Sequence, residues 1–147
     1  MSKPTGKGAP LRVKALLVED EYDLAELLVI TLNDIVAEVD WVTSVELAES
    51  KLSRGDYDLI LADFRLDGKQ SGLDLWGKVH REHPDTPFIL VSGYSANVFN
   101  DLLETGMDCP PFLSKPFTRD SVRACIVEVM KKAGKDSEGA TETAASK

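Results

Sequence analysis

Val13-Lys14-Ala15-Leu16-Leu17-Val18-Glu19-Asp20-Glu21 is a short apolar run that stops abruptly in three acids. A strand buried on both faces reads this way where its end reaches water. Leu59-Ile60-Leu61-Ala62-Asp63 repeats the pattern, again halted by an acid. Phe88-Ile89-Leu90-Val91 runs out at Ser92-Gly93, and Pro111-Phe112-Leu113-Ser114 leads into Lys115-Pro116. Val36 to Val42 alternates weakly and supplies one more strand, the second in chain order.

The intervening segments carry helical spacing. Leu24, Leu27, Leu28, Leu32 and Ile35 share one helical face, and the acids ahead of them suit a helix N-terminus. Val45, Ala48 and Leu52 mark a second helix, capped by Ser44 and closed at Arg54-Gly55-Asp56. After the polar loop Asp67-Gly68-Lys69-Gln70-Ser71-Gly72, Leu75, Trp76 and Val79 define a third. Val98, Phe99, Leu102 and Leu103, ended by Gly106, make a fourth. Val122, Cys125, Ile126, Val129 and Met130 make a fifth behind Thr118 as cap. Five strands alternating with five helices predict an α/β fold, a doubly wound five-stranded parallel sheet with helices on both faces.

Residues 1–11 hold breakers and no apolar periodicity, and are expected to form a flexible arm. Residues 12–133 form the folded domain, and 134–147 are expected to be a flexible tail. The chain of 147 residues is long enough for one sizeable core and leaves no room for a second domain. Twenty-five acids against 17 bases give a net charge of −8, which repels nucleic acid and anionic membrane surfaces. Cys109 and Cys125 are too few for a disulfide scaffold or zinc knuckle, so a reducing, cytoplasmic setting is expected. No apolar run is long enough to cross a bilayer, and the N-terminus lacks the apolar core of a signal peptide.

In a doubly wound sheet ligands sit beyond the carboxyl ends of the strands, where strand order reverses. The residues there are Glu19, Asp20 and Glu21 after the first strand, Asp63 after the third, Ser92 after the fourth and Lys115 after the fifth. Carboxylates converging in one cleft repel unless a cation neutralises them, and an all-oxygen donor set favours Mg²⁺, for which Mn²⁺ can substitute. Mg²⁺ completes its shell with waters and phosphate oxygens, so the cleft is suited to a phosphoryl group, with Asp63 as the nucleophile. Lys115 adds positive charge on a second side, the Ser92 hydroxyl can hydrogen-bond a phosphoryl oxygen, and Gly93 leaves room beside it. Glu21 reads as a helix-dipole or surface residue, His80 and His83 as solvated residues near a helix end, and Trp41 and Trp76 as partly buried packing residues.

Over roughly Arg12 to Lys132 the chain resembles the receiver domain of two-component response regulators. The matching pieces are Leu17-Val18-Glu19-Asp20-Glu21, Leu59-Ile60-Leu61-Ala62-Asp63, Gly72-Leu73-Asp74-Leu75, Val91-Ser92-Gly93 and Phe112-Leu113-Ser114-Lys115-Pro116-Phe117. The resemblance implies a flavodoxin-like fold and phosphorylation of Asp63 by a histidine kinase or phosphotransfer protein. It implies Mg²⁺ bound directly by Asp20, through water by Glu19 and through the backbone carbonyl of Arg65, and a cis Lys115-Pro116 peptide. Ser92 and Phe112 take the switch positions. Arg65 and Tyr94 flank the path of a water attacking the acyl phosphate, where their bulk is expected to slow its loss. Glu19 stands where Asp is more frequent, Asp67 where many receivers have Pro, and Phe112 where Tyr is common and would bring a hydroxyl.

The expectation is a stand-alone phosphoacceptor switch, similar to a chemotaxis regulator, with no enzymatic activity beyond Mg²⁺-dependent self-phosphorylation and self-dephosphorylation. Its output would come from a downstream protein docking on the fourth predicted helix, the fifth strand and the fifth predicted helix, or from phosphorylation-dependent dimerisation. A Mg²⁺-dependent phosphatase with an Asp nucleophile is one rival; such enzymes carry a second Asp two residues on, and Arg65 holds that position here. A receiver fold used only for binding is another. A flavin module is a third, opposed by the lack of a Gly/Ser/Thr-rich phosphate loop after the first strand.

Overall fold

The structure, a computed structural model, describes residues 10–66, 70–92 and 110–134. Five strands, β1 (Leu11–Val18), β2 (Val36–Val42), β3 (Leu59–Asp63), β4 (Phe88–Ser92) and β5 (Phe112–Ser114), form one sheet in the order β2-β1-β3-β4-β5. Every neighbouring pair is parallel. Among the described residues four helices accompany them: α1 (Tyr22–Asn33), α2 (Val45–Arg54), α3 (Gly72–Glu82) and α4 (Arg119–Lys132). Here α4 is the fifth helix expected from the sequence; the fourth, around Val98 to Leu103, lies outside the described residues.

The sheet separates two apolar layers. Ala15, Leu17, Leu59, Leu61, Ile89 and Val91 face α1 and α4, where Leu28, Leu32, Val122 and Ile126 meet them. Leu16, Val18, Ile60, Ala62 and Leu90 face α2 and α3, against Val45, Ala48, Leu75 and Val79. The alternation along each strand is the period of two that a pleated backbone imposes, with both sets apolar because both faces are covered. β1 begins at Leu11, two residues before the run read from the sequence. Leu11, which the sequence places in the arm, is buried, and its N–H donates to Ile35 O at 2.7 Å.

Helix starts follow the local chemistry. Ser44 caps α2 by accepting from Leu47 N at 3.1 Å. Reciprocal capping boxes start α3, between Ser71 and Asp74, and α4, between Thr118 and Ser121. Chain order runs from β1 outward to β2 and then back across to β3, so the direction of winding reverses between β1 and β3. That reversal opens a crevice beyond the carboxyl ends of these two strands.

Candidate functional site

Four of the five strands, all but β2, deliver a polar group to the crevice at the point where the apolar run ends. Glu19 follows β1, Asp63 ends β3, Ser92 ends β4 and Lys115 follows β5. Together with Asp20 they line a cleft of about 380 Å³, which Phe64, the exposed Arg65 and the exposed Glu21 also border. Glu19, Asp63 and Ser92 are the three buried polar or charged side chains among the described residues, at 1%, 5% and 1% exposure. A larger shallow hollow of about 650 Å³ runs along Ala124 and Val127 on α4, but no polar groups from separate strands converge there.

Asp63 is held at both oxygens. Oδ2 accepts from Lys115 Nζ at 3.1 Å, an ion pair reaching from β3 to the end of β5, and Oδ1 accepts from the Arg65 N–H at 3.1 Å. The Lys115-Pro116 peptide that follows is cis, as the resemblance implies. Behind Asp63 the start of α3 comes close: Gly72 N–H donates to Phe64 O at 3.1 Å, and a Cβ at Gly72 would stand 2.2 Å from the Asp63 carbonyl oxygen. Only a residue with no side chain fits there, so α3 begins on a glycine that the sequence places in the loop.

Glu19 accepts from the Glu21 N–H through Oε2 at 3.0 Å, a bond that serves the N-terminus of α1 where Glu21 itself makes no side-chain cap. Its other oxygen, Oε1, is buried without a hydrogen-bond partner. Burial above all, and then the neighbouring Asp63 carboxylate, push the Glu19 carboxyl up from its ordinary 4.5 to about 8, against the opposing pull of the Glu21 N–H and Lys115.

An orphaned, buried carboxylate oxygen beside two further carboxylates is the signature of a position that a cation would satisfy. The donors are all oxygens, which suits a hard divalent ion. Among the described residues no three His, Cys, Asp or Glu side chains are gathered so as to enclose a metal by themselves. Mg²⁺ fits such an incomplete set, because it binds through one or two carboxylates and keeps several waters.

Of the residues expected from the sequence, Glu19, Asp20, Asp63, Arg65, Ser92 and Lys115 are brought to this one cleft. Phe112 lies on β5, half-buried against the α2–α3 layer. Tyr94 lies outside the described residues. Sequence reasoning missed two contributors: Gly72, through its contact with Asp63, and Trp41, whose indole N–H donates to Glu19 O at 2.8 Å. His80 stacks on Trp76 at 4.9 Å on α3, and His83 ends that helix; neither borders the cleft. No helix among the described residues is long and apolar enough to cross a membrane.

Comparison with known proteins matches residues 15–127 to the response regulator receiver domain. The response regulator protein PilR of Pseudomonas aeruginosa is 36% identical over 122 residues, which cover 82% of this chain and 26% of PilR. The sensory transduction protein RegX3 of Mycobacterium bovis is 30% identical over 82% of this chain and 52% of RegX3. The chain thus spans between about a quarter and about a half of these relatives. Among solved structures, the response regulator protein TrrA of Thermotoga maritima, crystallised in complex with Mg²⁺-BeF, has a TM-score of 0.68 at 28% identity, covering 80% of this chain and 98% of that one. NtrX of Brucella abortus shares the fold at a TM-score of 0.74 and 22% identity, over 84% of this chain and 28% of its own.

Proposed function

The chain belongs to the response regulator receiver domain family, and from that premise we propose that it is a Mg²⁺-dependent phosphoacceptor switch whose nucleophile is Asp63. The observation that carries the reading is the buried Asp63 carboxylate, paired with Lys115 at 3.1 Å and facing the orphaned oxygen of Glu19 across one cleft. Glu19, Asp20, Asp63 and the Arg65 carbonyl are the groups that would hold the cation, as the resemblance implies. Bound there, Mg²⁺ supplies positive charge to the equatorial phosphoryl oxygens, and Mn²⁺ can replace it. TrrA, whose solved structure holds Mg²⁺-BeF, supports that pairing of a divalent ion with a small anion.

In the transfer, a carboxylate oxygen of Asp63 forms a bond to phosphorus as the bond from phosphorus to the donor breaks, and the departing electron pair leaves with the donor. With a histidine kinase or phosphotransfer protein that bond is P–N and the leaving group is imidazole; with acetyl phosphate it is P–O and the leaving group is acetate. Lys115 stabilises charge on the phosphoryl oxygens, and the Ser92 hydroxyl donates to one of them. Arg65 and Tyr94 restrict water that would hydrolyse the product. The chemistry is limited to Mg²⁺-dependent self-phosphorylation and self-dephosphorylation.

Output on this reading is a changed protein-binding face formed by the segment after β4, β5 and α4, through a downstream protein or a phosphorylation-dependent dimer. The charge of −8 argues against a nucleic acid as the partner of this segment itself. The test is intact mass after incubation with acetyl phosphate, with and without Mg²⁺, for the wild type and Asp63→Asn. A Mg²⁺-dependent, acid-stable, base-labile adduct absent from the variant is expected. A folded wild type that takes up no phosphate from acetyl phosphate or from a phosphorylated kinase would refute the switch and favour a receiver fold used only for binding.

A further inference from the structure

Trp41 stands one residue before the end of β2, opposite Leu17 in the β1–β2 ladder. Its ring packs on the α1 side of the sheet, and Tyr22 meets it edge-on at 5.2 Å and 78°. The indole N–H donates to the main-chain carbonyl of Glu19 at 2.8 Å. The main-chain N–H of Glu19 donates to Val42 O at 3.0 Å. β2 therefore grips Glu19 by its amide with the backbone and by its carbonyl with a side chain, extending the ladder past the point where the strands part.

This grip bears on Asp20 more than on Glu19. The Glu19 side chain is buried and bonded to the Glu21 N–H, so its place is already set. Asp20 is half-buried at the cleft, and its direction follows from the peptide plane that joins it to Glu19. The oxygen of that plane is the one Trp41 holds. A peptide plane held at its oxygen loses rotational freedom before any ligand arrives, which lowers the ordering cost of binding.

We propose that Trp41 is a positioning residue for the divalent cation: its indole N–H fixes the Glu19–Asp20 peptide so that the Asp20 carboxylate is presented to the cleft. The inference rests on the reading of the cleft as a Mg²⁺-dependent phosphoacceptor site. It names a residue far from the acids in sequence whose loss acts on cation affinity and leaves the chemistry at Asp63 untouched.

The test uses the full chain carrying Trp76→Phe, which leaves Trp41 as its one tryptophan. Trp41 is then replaced by Phe and, separately, by the isosteric benzothienylalanine, in which sulfur replaces the N–H while shape and packing are kept. Mg²⁺ affinity is measured by calorimetry, phosphorylation by acetyl phosphate as a function of Mg²⁺ by intact mass, and melting in EDTA as a check on folding. The expected result is a rise of about three- to tenfold in the Mg²⁺ concentration at half-saturation for both replacements, the effect of one lost hydrogen bond. The phosphorylation rate at saturating Mg²⁺ is expected to match the parent. The parent's Trp41 emission should change with Mg²⁺ at the half-saturation that calorimetry gives. Unchanged Mg²⁺ affinity in the isostere, with a parent that binds, overturns the inference. So does a lower rate at saturating Mg²⁺ with no shift in half-saturation, since that is the mark of a general structural role. A folded parent that binds no Mg²⁺ overturns the cleft reading itself, and the inference with it. Should Trp41→Phe fail to fold, the isostere decides alone.

Discussion

Replacing Glu19 by Gln is expected to stabilise the metal-free protein at neutral pH, although it removes a buried carboxyl group that the proposed function needs. In the folded chain the carboxyl is pushed from 4.5 up to about 8, chiefly by burial. Between those values the native state keeps a proton that the unfolded chain releases, so the native state binds more protons and stability falls as pH rises. The contribution is fully present below about pH 4.5 and lost by the time pH passes about 8. Complete linkage over the interval up to pH 7 would amount to about 3 kcal/mol. The cleft is open to water and Lys115 is close by, and this screening reduces the expected figure to about 1–2 kcal/mol. Gln keeps an acceptor for the Glu21 N–H and does not titrate.

The assay is urea unfolding in EDTA, followed by tryptophan emission, at about pH 5, 7 and 8 for wild type and Glu19→Gln. The two stabilities should lie close together at about pH 5 and separate toward about pH 8, with the variant the more stable. Saturating Mg²⁺ should then reverse the order, since binding stabilises the wild type by mass action and the variant less. Parallel pH profiles in EDTA, or a wild type that outlasts the variant at about pH 8 without metal, would refute the account of Glu19 as a carboxylate held against its charge.

Gly72→Ala places a methyl group 2.2 Å from the Asp63 carbonyl oxygen and 3.0 Å from Leu90 Cδ1. It should cost about 2–3 kcal/mol in urea unfolding and slow acetyl-phosphate labelling of Asp63; wild-type values in both would show that α3 can retreat freely. Lys115→Ala should slow phosphorylation at saturating Mg²⁺ by about a hundredfold, the usual effect of losing one preorganised donor, as read from the time course of intact mass. An unaltered rate would remove Lys115 from the transfer step. Tyr94→Ala, and separately Arg65→Ala, should shorten the lifetime of the phosphorylated form in a decay assay, and unchanged lifetimes would withdraw both from any role in excluding water.

The strands other than β2 were legible because both faces of the sheet are covered, so each reads as a short apolar run with a polar stop, while β2 at the sheet edge alternates. The same property made the site legible: where the run ends, the chain reaches the cleft, and Glu19, Asp63, Ser92 and Lys115 are those endings. Capping residues Ser44 and Thr118 were equally plain, since their side chains serve backbone groups only three positions on. The start of α3 was obscured because Gly72 disfavours a helix by local propensity, while the approach of Asp63 O demands it. Leu11 looked like arm because its partner, Ile35 O, is supplied by a segment distant in sequence. Trp41 gave no signal at all. Its bond spans 22 positions and exists only through the β1–β2 register, so composition and spacing carry no trace of it.

The two sides of the cleft are built differently, and the difference bears on how a switch at Asp63 would act. On the β1 side, the turn carrying Glu19 and Asp20 is pinned to β2 by Val42 O and Trp41 Nε1. On the other side, Phe64 N–H donates to Val91 O at 2.8 Å, and Lys115 N–H donates to Ser92 O at 2.8 Å. The ends of β3, β4 and β5 are thus laced in series. Lys115 Nζ is bonded to Asp63, and Ser92 borders the same cleft. A phosphoryl group drawing on the Lys115 ammonium and the Ser92 hydroxyl would pull on two strand ends already tied by a main-chain hydrogen bond. They would shift together, and the shift would enter the chain after Ser92 and the turn from Lys115 into α4. A ligand moves a conformational equilibrium only by contacts that differ between its states. The pinned β1 side has little freedom to differ, so on the proposed function it sets the affinity for the cation, and the β4–β5 side carries the response.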